Sequence, residues 1–337
     1  MERSVISVQT VIQNYLDGAK IGRKQSHRNL AMYPLLSSYT VGLEYITLDE
    51  ALSRGLIEVV ERDEAGSVPE LKVINKSPCM ILILDGEELV GAKQNRIVNT
   101  TMLIQRKSTT LIPVSCVEQG RWAYASHAFN SEERLMAAQL RARKSEQVHR
   151  SIRRSDGFRS DQSAIWEEIS SKAARMEVDS PTMAMAEIYK KKSLLLADYV
   201  DHFRLVDMQV GAVFMINDKV VGLDTFGKAE TFDEVFRKLI ESYALDAVDW
   251  SERESSGKTL KSKVTKFLWA ASNATVECHR PVGLGTDMRL ESRTLTGFAL
   301  AHEGKILHLS VFARSNGSRD VRYTSRIQRF SSRRRSR

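Results

Sequence analysis

Between Ile83 and Trp122 the sequence ILDGEELVGAKQNRIVNTTMLIQRKSTTLIPVSCVEQGRW sets acids, amides, bases, a thiol and an indole between short apolar runs. Its end is the densest part. Glu118-Gln119-Gly120-Arg121-Trp122 offers a carboxylate, an amide, a flexible backbone position, a guanidinium and a stacking surface in succession. Those groups suit a phosphorylated or ribosylated aromatic ligand: Arg121 for phosphate, Trp122 for a base, Glu118 for ribose hydroxyls or proton transfer. Glu87 and Glu88 lie in the turn DGEE, which could meet the same end of a sheet. Glu88 and Glu118 are therefore the candidate acid and base, and Gln94, Asn95, Arg96, Gln119, Arg121 and Trp122 the candidate ligand-holding groups. A purely internal network of turns and ion pairs would use the same residue types, and the sequence leaves both readings open.

If Leu89 to Asn99 is one regular strand, Lys93 and Asn95 share one face while Gln94 and Arg96 share the other. Both faces would then be polar, so at least one meets water or a ligand. Cys116 has the parity of Ile112 and Val114, which predicts a buried thiol rather than a nucleophile. Asp287, Arg289 and Glu291 fall on one face of a strand after the turn GLGTDM, as a second wall of the site or as paired surface charges. No metal site is expected. No histidine lies between His27 and His127, His308 in KILHLSVF reads as a sheet-surface residue, and His279 beside Cys278 is isolated in sequence. GLGTDM lacks the third glycine of GxGxxG, and neither a P-loop nor GxSxG is present. No motif names a cofactor.

ILDGEELVGAKQNR followed by IPVSCVEQGRW resembles the bacterial domain family named for its association with ADP-ribosylglycohydrolases and rhodanese-phosphatases, the ARPP family. The resemblance runs from about Tyr33 to Phe312 and takes in GAVFMINDKVVGLDTFG, LIESYALDA and VGLGTDMRLESRTLTGFAL. It implies a neighbourhood in NAD and ADP-ribose metabolism or in defence systems, with ADP-ribose-metabolising proteins as partners. It implies no particular reaction.

The elements that must position these groups follow from local patterns. Thr47-Leu48-Asp49-Glu50 is a capping box ahead of a short helix and a strand from Leu56 to Glu61. The chain is then strongly β in character from Leu71 to Val117, with Met80 to Leu84 apolar on both faces. A helical middle follows: a helix capped by Ser131, then Ser163 to Arg175 and Met183 to Phe203, with SIRRSDGFRSDQ as a mobile loop. GAVFMI and KVVGLD flank Asn217-Asp218 as a tight hairpin. Thr231-Phe232-Asp233-Glu234 is a second capping box, opening an amphipathic helix, and another helix runs through Leu260 to Ala271 after the polar SERESSGK. MRLESR, LTGFALA and KILHLSVF are closing strands, the last two turning at Glu303-Gly304. This order does not alternate as a doubly wound fold would. It predicts an α+β fold of largely antiparallel sheets with a helical middle segment, in one composite domain.

The 337 residues divide into an N-terminal extension (1–30), the ARPP-like α+β domain (31–315) and an Arg-rich tail (316–337) expected to be disordered. With 42% hydrophobic and 27% charged residues the composition is that of a globular protein. No apolar run approaches membrane-spanning length and the start lacks a secretory pattern, so a cytoplasmic location without membrane contact is expected. The odd, widely spaced Cys79, Cys116 and Cys278 fit reduced thiols. Six arginines from Ser325 onward account for most of the formal charge of +8. Nucleic acid is thus a weak candidate partner, confined to the tail, and RARKSEQVHRSIRRS reads as a solvated helix face and loop. The favoured function is binding and hydrolytic processing of an ADP-ribose-like or other nucleotide-derived metabolite. A non-catalytic sensor using the same pocket is the alternative.

Overall fold

The computed structural model describes residues 8–63, 69–251 and 261–314. In chain order the early elements are α1 (Val8–Asp17), β1 (Lys20–Ile21), β2 (Gln25–His27), β3 (Leu30–Leu36), β4 (Tyr45–Thr47), α2 (Leu48–Ser53) and β5 (Ile57–Glu61). The β-rich stretch holds β6 (Glu70–Asn75), β7 (Met80–Ile83), β8 (Glu87–Gly91), β9 (Arg96–Val98), β10 (Met102–Ile104), β11 (Ser108–Cys116) and β12 (Phe129–Leu135). The helical middle is α3 (Ala138–Arg153), α4 (Gln162–Arg175), α5 (Met185–Lys191) and α6 (Ser193–Asp201). The rest comprises β13 (Gln209–Ile216), β14 (Lys219–Phe226), α7 (Ala229–Asp249), α8 (Lys261–Ser272), β15 (Thr275–His279), β16 (Thr286–Glu291), β17 (Leu295–His302) and β18 (Lys305–Ala313).

These strands form three sheets. A nine-stranded sheet runs β1-β3-β13-β14-β18-β17-β16-β15, with β2 paired to β3; a six-stranded sheet runs β12-β8-β9-β11-β6-β5; a three-stranded sheet runs β10-β7-β4. Every pairing is antiparallel except β4 with β7. The architecture is therefore α+β with largely antiparallel sheets in one compact body.

Alternation along β13 shows how the layers are tied. Ala212, Phe214 and Ile216 face one core, packed with Phe236, Ile240 and Tyr243 of α7 and with residues of α3 to α6. Val213 and Met215 face a second core under α1 and α8. A third core lies between the six- and three-stranded sheets, where Leu71, Val73, Ile81, Ile83, Leu89 and Ile104 are buried. The fully apolar β7 is buried at every residue, as its composition predicts. Residues of the expected N-terminal extension are built into this frame: Ile12, Tyr15 and Leu16 are buried, and the Tyr15 hydroxyl donates to the Phe226 carbonyl at 2.7 Å.

Local signals hold where the chain is free to obey them. Thr47 caps α2 by accepting from the Glu50 N–H, and Asn217 and Asp218 take left-handed φ values of 47° and 61° at the hairpin tip. They fail where a neighbouring element competes. Ser131 does not cap a helix: 129–135 is a strand because it pairs with the edge of β8, and the Ser131 hydroxyl bonds Asp49. Nor does Thr231 cap α7, which begins at Ala229; the Thr231 hydroxyl instead meets the Tyr45 hydroxyl at 2.8 Å. The expected mobile loop after α3 is pinned, since Asn99 donates to the Phe158 carbonyl at 3.0 Å and Ser115 bonds Ser160. SERESSGK and the Arg-rich tail lie largely or wholly outside the described residues. Among those described, no helix is long and apolar enough to cross a membrane.

Candidate functional site

Leu89 to Asn99 is not one regular strand. The chain leaves β8 at Gly91, turns through residues 92–95 and returns as β9, with Leu89 opposite Arg96. Gly91 has φ 128°, and a Cβ there would stand 2.4 Å from the Ser126 hydroxyl oxygen, so glycine is required for the close approach. Ala92 follows with φ 39°. The Lys93, Gln94 and Asn95 side chains therefore do not alternate across a sheet, as a regular strand would have them, but sit on a hairpin tip.

That tip is held from outside. Glu118 Oε2 accepts the Asn95 N–H at 3.2 Å and Arg121 Nε at 2.9 Å. Arg121 Nη1 donates to the carbonyls of Ala92 (2.7 Å) and Ala123 (3.0 Å), and Nη2 to Asn95 Oδ1 at 3.0 Å. Each nitrogen of the Arg121 fork thus already meets a protein acceptor. The backbone at Glu118 to Gly120 is fixed by the segment before α5, through Gly120 N–H to the Thr182 carbonyl at 2.8 Å and Met185 N–H to the Val117 carbonyl at 2.9 Å.

Arg96 lies beneath, fully buried. Its Nη1 donates to the Gln94 carbonyl at 3.0 Å and to Gln94 Oε1 at 3.2 Å, while Nη2 is 3.8 Å from Glu61 Oε1. Arg96 Nε and Nη2 and Glu61 Oε2 are buried without a hydrogen-bond partner. Cys116 is directly opposite Arg96 in the β9–β11 pair, and burial pushes its thiol up to about 11. The thiol is thus a protonated core group, as its parity predicts.

Above this buried floor the surface turns aromatic. Trp122 and Tyr124 are 49% and 55% exposed. The Lys93 ammonium stands 5.5 Å from the Trp122 ring centre and 5.0 Å from that of Tyr124, and the Arg96 guanidinium carbon is 5.7 Å from Trp122. Two buried cations thus lie beneath a rim of two exposed rings. Gln119 is exposed beside it.

Of the sequence-selected residues, the structure brings together Gln94, Asn95, Arg96, Glu118, Arg121 and Trp122. Glu88, on β8 opposite Ile97 of β9, is fully buried, with neither carboxylate oxygen hydrogen-bonded. Burial pushes its carboxyl up to about 7; the Arg134 charge opposes this, while Glu132 and Glu118 add to it.

Asp287 and Arg289 lie in the nine-stranded sheet, not at the rim, and neither is a surface charge. Arg289 Nε and Nη2 grip the two Asp287 oxygens at 2.7 Å each, and Nη2 reaches the Thr100 hydroxyl at 2.7 Å. They border an interior polar network that no local pattern announced. In it Arg141 of α3 binds Asp224 of β14 through two bonds of 3.0 and 2.8 Å, and Lys144 binds Asp85. His308, expected on a sheet surface, is buried here: its Nδ1 is 2.8 Å from the Thr101 hydroxyl and its ring stacks on Phe226. The segment after β9 and helix α3 cover that face of the sheet. Also missed were Lys93 as a rim cation, Glu61 and Tyr124; the alternation of Trp122 and Tyr124 around Ala123 was their available signal.

A cleft of about 300 Å³ lies elsewhere, between α3 and α4, lined by Arg143, Lys144, Gln147, Arg150, Ile165 and Glu168. Arg143 and Glu168 pair across it.

The chain is thus an α+β body that carries a charged hairpin tip under an aromatic rim. The ARPP-1 family model, that of the ARG and Rhodanese-Phosphatase-superfamily-associated Protein domain, matches residues 18–312, and the chain belongs to this family. The match begins ahead of Tyr33 and takes in β1 and β2. No curated protein and no solved structure matches the chain.

Proposed function

We propose that the chain binds a nucleotide-derived metabolite of the ADP-ribose kind at the Trp122–Tyr124 rim and processes it by hydrolysis. The observation that carries this reading is the Lys93 ammonium set within reach of two exposed rings, above buried Arg96. A base can stack on either ring while Lys93 meets the phosphates. The family's association with ADP-ribosylglycohydrolases supports the same ligand class. Arg121, its fork already engaged, acts by holding residues 91–95 and Glu118 in place. Glu118 takes the polar part of the ligand, and Glu88, a carboxyl near neutrality, is the reserve acid behind it.

Thermal denaturation with and without ADP-ribose tests binding. Stabilisation of the wild-type chain and its loss in Trp122→Ala and Lys93→Gln are expected; no response of the wild type to ADP-ribose, AMP or NAD overturns the reading. Mass spectrometry of the incubated ligand tests turnover. Glu118 Oε2 is occupied by Asn95 and Arg121, which favours a second reading, a non-catalytic sensor. Binding without product selects it.

A further inference from the structure

Where the C-terminal half of α3 lies over the edge strand β15, three potential ligand groups converge. Glu277 and His279, two residues apart on β15, share a face, and His149 reaches them from the helix. His149 Nε2 is 3.1 Å and His279 Nε2 is 3.7 Å from the same carboxylate oxygen, Glu277 Oε2, and the three ligand atoms lie within 4.8 Å of one another. We propose that His149, Glu277 and His279 form a binding site for a late first-row divalent cation, zinc being the best fit.

Three features carry the assignment. Bonds of about 2.0–2.1 Å in tetrahedral geometry place neighbouring ligand atoms about 3.3 Å apart, and the two measured separations fall on either side of that value. His279 Nε2 is buried and hydrogen-bonds nothing, its distance of 3.7 Å from Glu277 Oε2 being too long for a hydrogen bond. Arg153 grips both oxygens of the carboxylate, with Nη2 to Oε1 at 2.6 Å and Nε to Oε2 at 3.0 Å, and so orients it towards the two imidazoles. Two nitrogens and one oxygen leave a fourth position for water.

A second cluster, His27, Asp198 and His202, is weaker. There His202 Nδ1 is engaged with the Asp198 carbonyl at 2.7 Å, and His202 is exposed. The proposed site would also clip an edge strand to α3. Edge strands present unpaired backbone groups, and a cation joining strand to helix would hold β15 in place.

The test uses the full chain carrying Cys278→Ser, so that the neighbouring exposed thiol contributes nothing. After chelator treatment and dialysis, zinc binding is followed by calorimetry, and cobalt binding by visible absorption. One cation per chain is expected, with at least about a tenfold loss of affinity, the equivalent of 1.4 kcal/mol, in His279→Ala and in His149→Gln. The His27→Ala/His202→Ala double variant should bind as the parent does. Because His149 is buried, His279→Ala is the decisive variant; circular dichroism confirms that it is folded. No cation uptake by the parent, uptake unchanged in folded His279→Ala, or loss only in the His27/His202 variant overturns the proposal.

Discussion

Arg121 Nη2 lies 2.7 Å from Glu118 Oε2, an ion pair three residues apart that closes over the hairpin tip at residues 91–95. The same guanidinium satisfies the carbonyls of Ala92 and Ala123 and the amide oxygen of Asn95. Its removal strands several acceptors at once and leaves Glu118 without its cation. Arg121→Ala is therefore expected to lose about 2–4 kcal/mol without any ligand, between an exposed pair and a fully buried one. Arg121→Lys should recover less than half, because one ammonium cannot span the same acceptors. Urea denaturation of both variants measures this, and a loss below about 0.5 kcal/mol for the alanine variant contradicts it.

Cys116 and Cys278 should separate cleanly by alkylation. Burial holds the Cys116 thiol protonated, whereas Cys278 is exposed. With the native chain at neutral pH, Cys278 is modified first and Cys116 only after denaturation. Cys116→Ser should retain ligand binding at a stability cost of about 1–3 kcal/mol, that of burying a more polar hydroxyl without an assured hydrogen-bond partner. Rapid native labelling of Cys116, read by peptide mass spectrometry, would refute this.

Arg141 and Asp224 join α3 to the centre of the nine-stranded sheet, 83 residues apart. Gly86 has φ 85°, and a Cβ there would stand 2.6 Å from Arg141 Cδ, so the arginine needs the glycine to pass. Asp224→Ala is expected to cost about 3–5 kcal/mol, since it leaves a buried guanidinium unpaired. Arg141→Met with Asp224→Leu should cost less than Asp224→Ala alone, which a double-mutant denaturation series reads directly.

What was legible in the sequence was local. Thr47, the Asn217-Asp218 hairpin and the apolar β7 behave as their own residues dictate. The tip at 91–95 was misread because KQN carries no strong turn signal; its geometry is imposed by Arg121 and Ser126, about 30 residues further on. Helix α3 looked solvated because Arg141, Lys144 and His149 are polar, yet all three are buried by strands that arrive much later or earlier in the chain. Spacing reports which face a side chain takes. It does not report what long-range packing lays over that face, and that packing decides whether a charge is a surface ornament or part of an interior network.

Glu88 gives the sharpest test by pH. Its carboxyl is raised from the ordinary 4.5 to about 7, chiefly by burial, and neither oxygen has a hydrogen-bond partner. The folded chain therefore holds this proton more tightly than the unfolded chain does. Below about pH 4.5 both states are protonated and Glu88 makes no demand. As pH rises through the window to about 7, the unfolded state releases its proton first, and the stability this group contributes is lost. Glu88→Gln mimics the protonated form at every pH. The variant should thus match the wild type near pH 4.5 and exceed it by up to about 3 kcal/mol above neutrality, the equivalent of the full displacement. Urea denaturation at several pH values across that window decides it. A wild type equal to the variant throughout would mean that Glu88 ionises freely, through water or a charge partner, and would remove the physical basis for its role as the reserve acid.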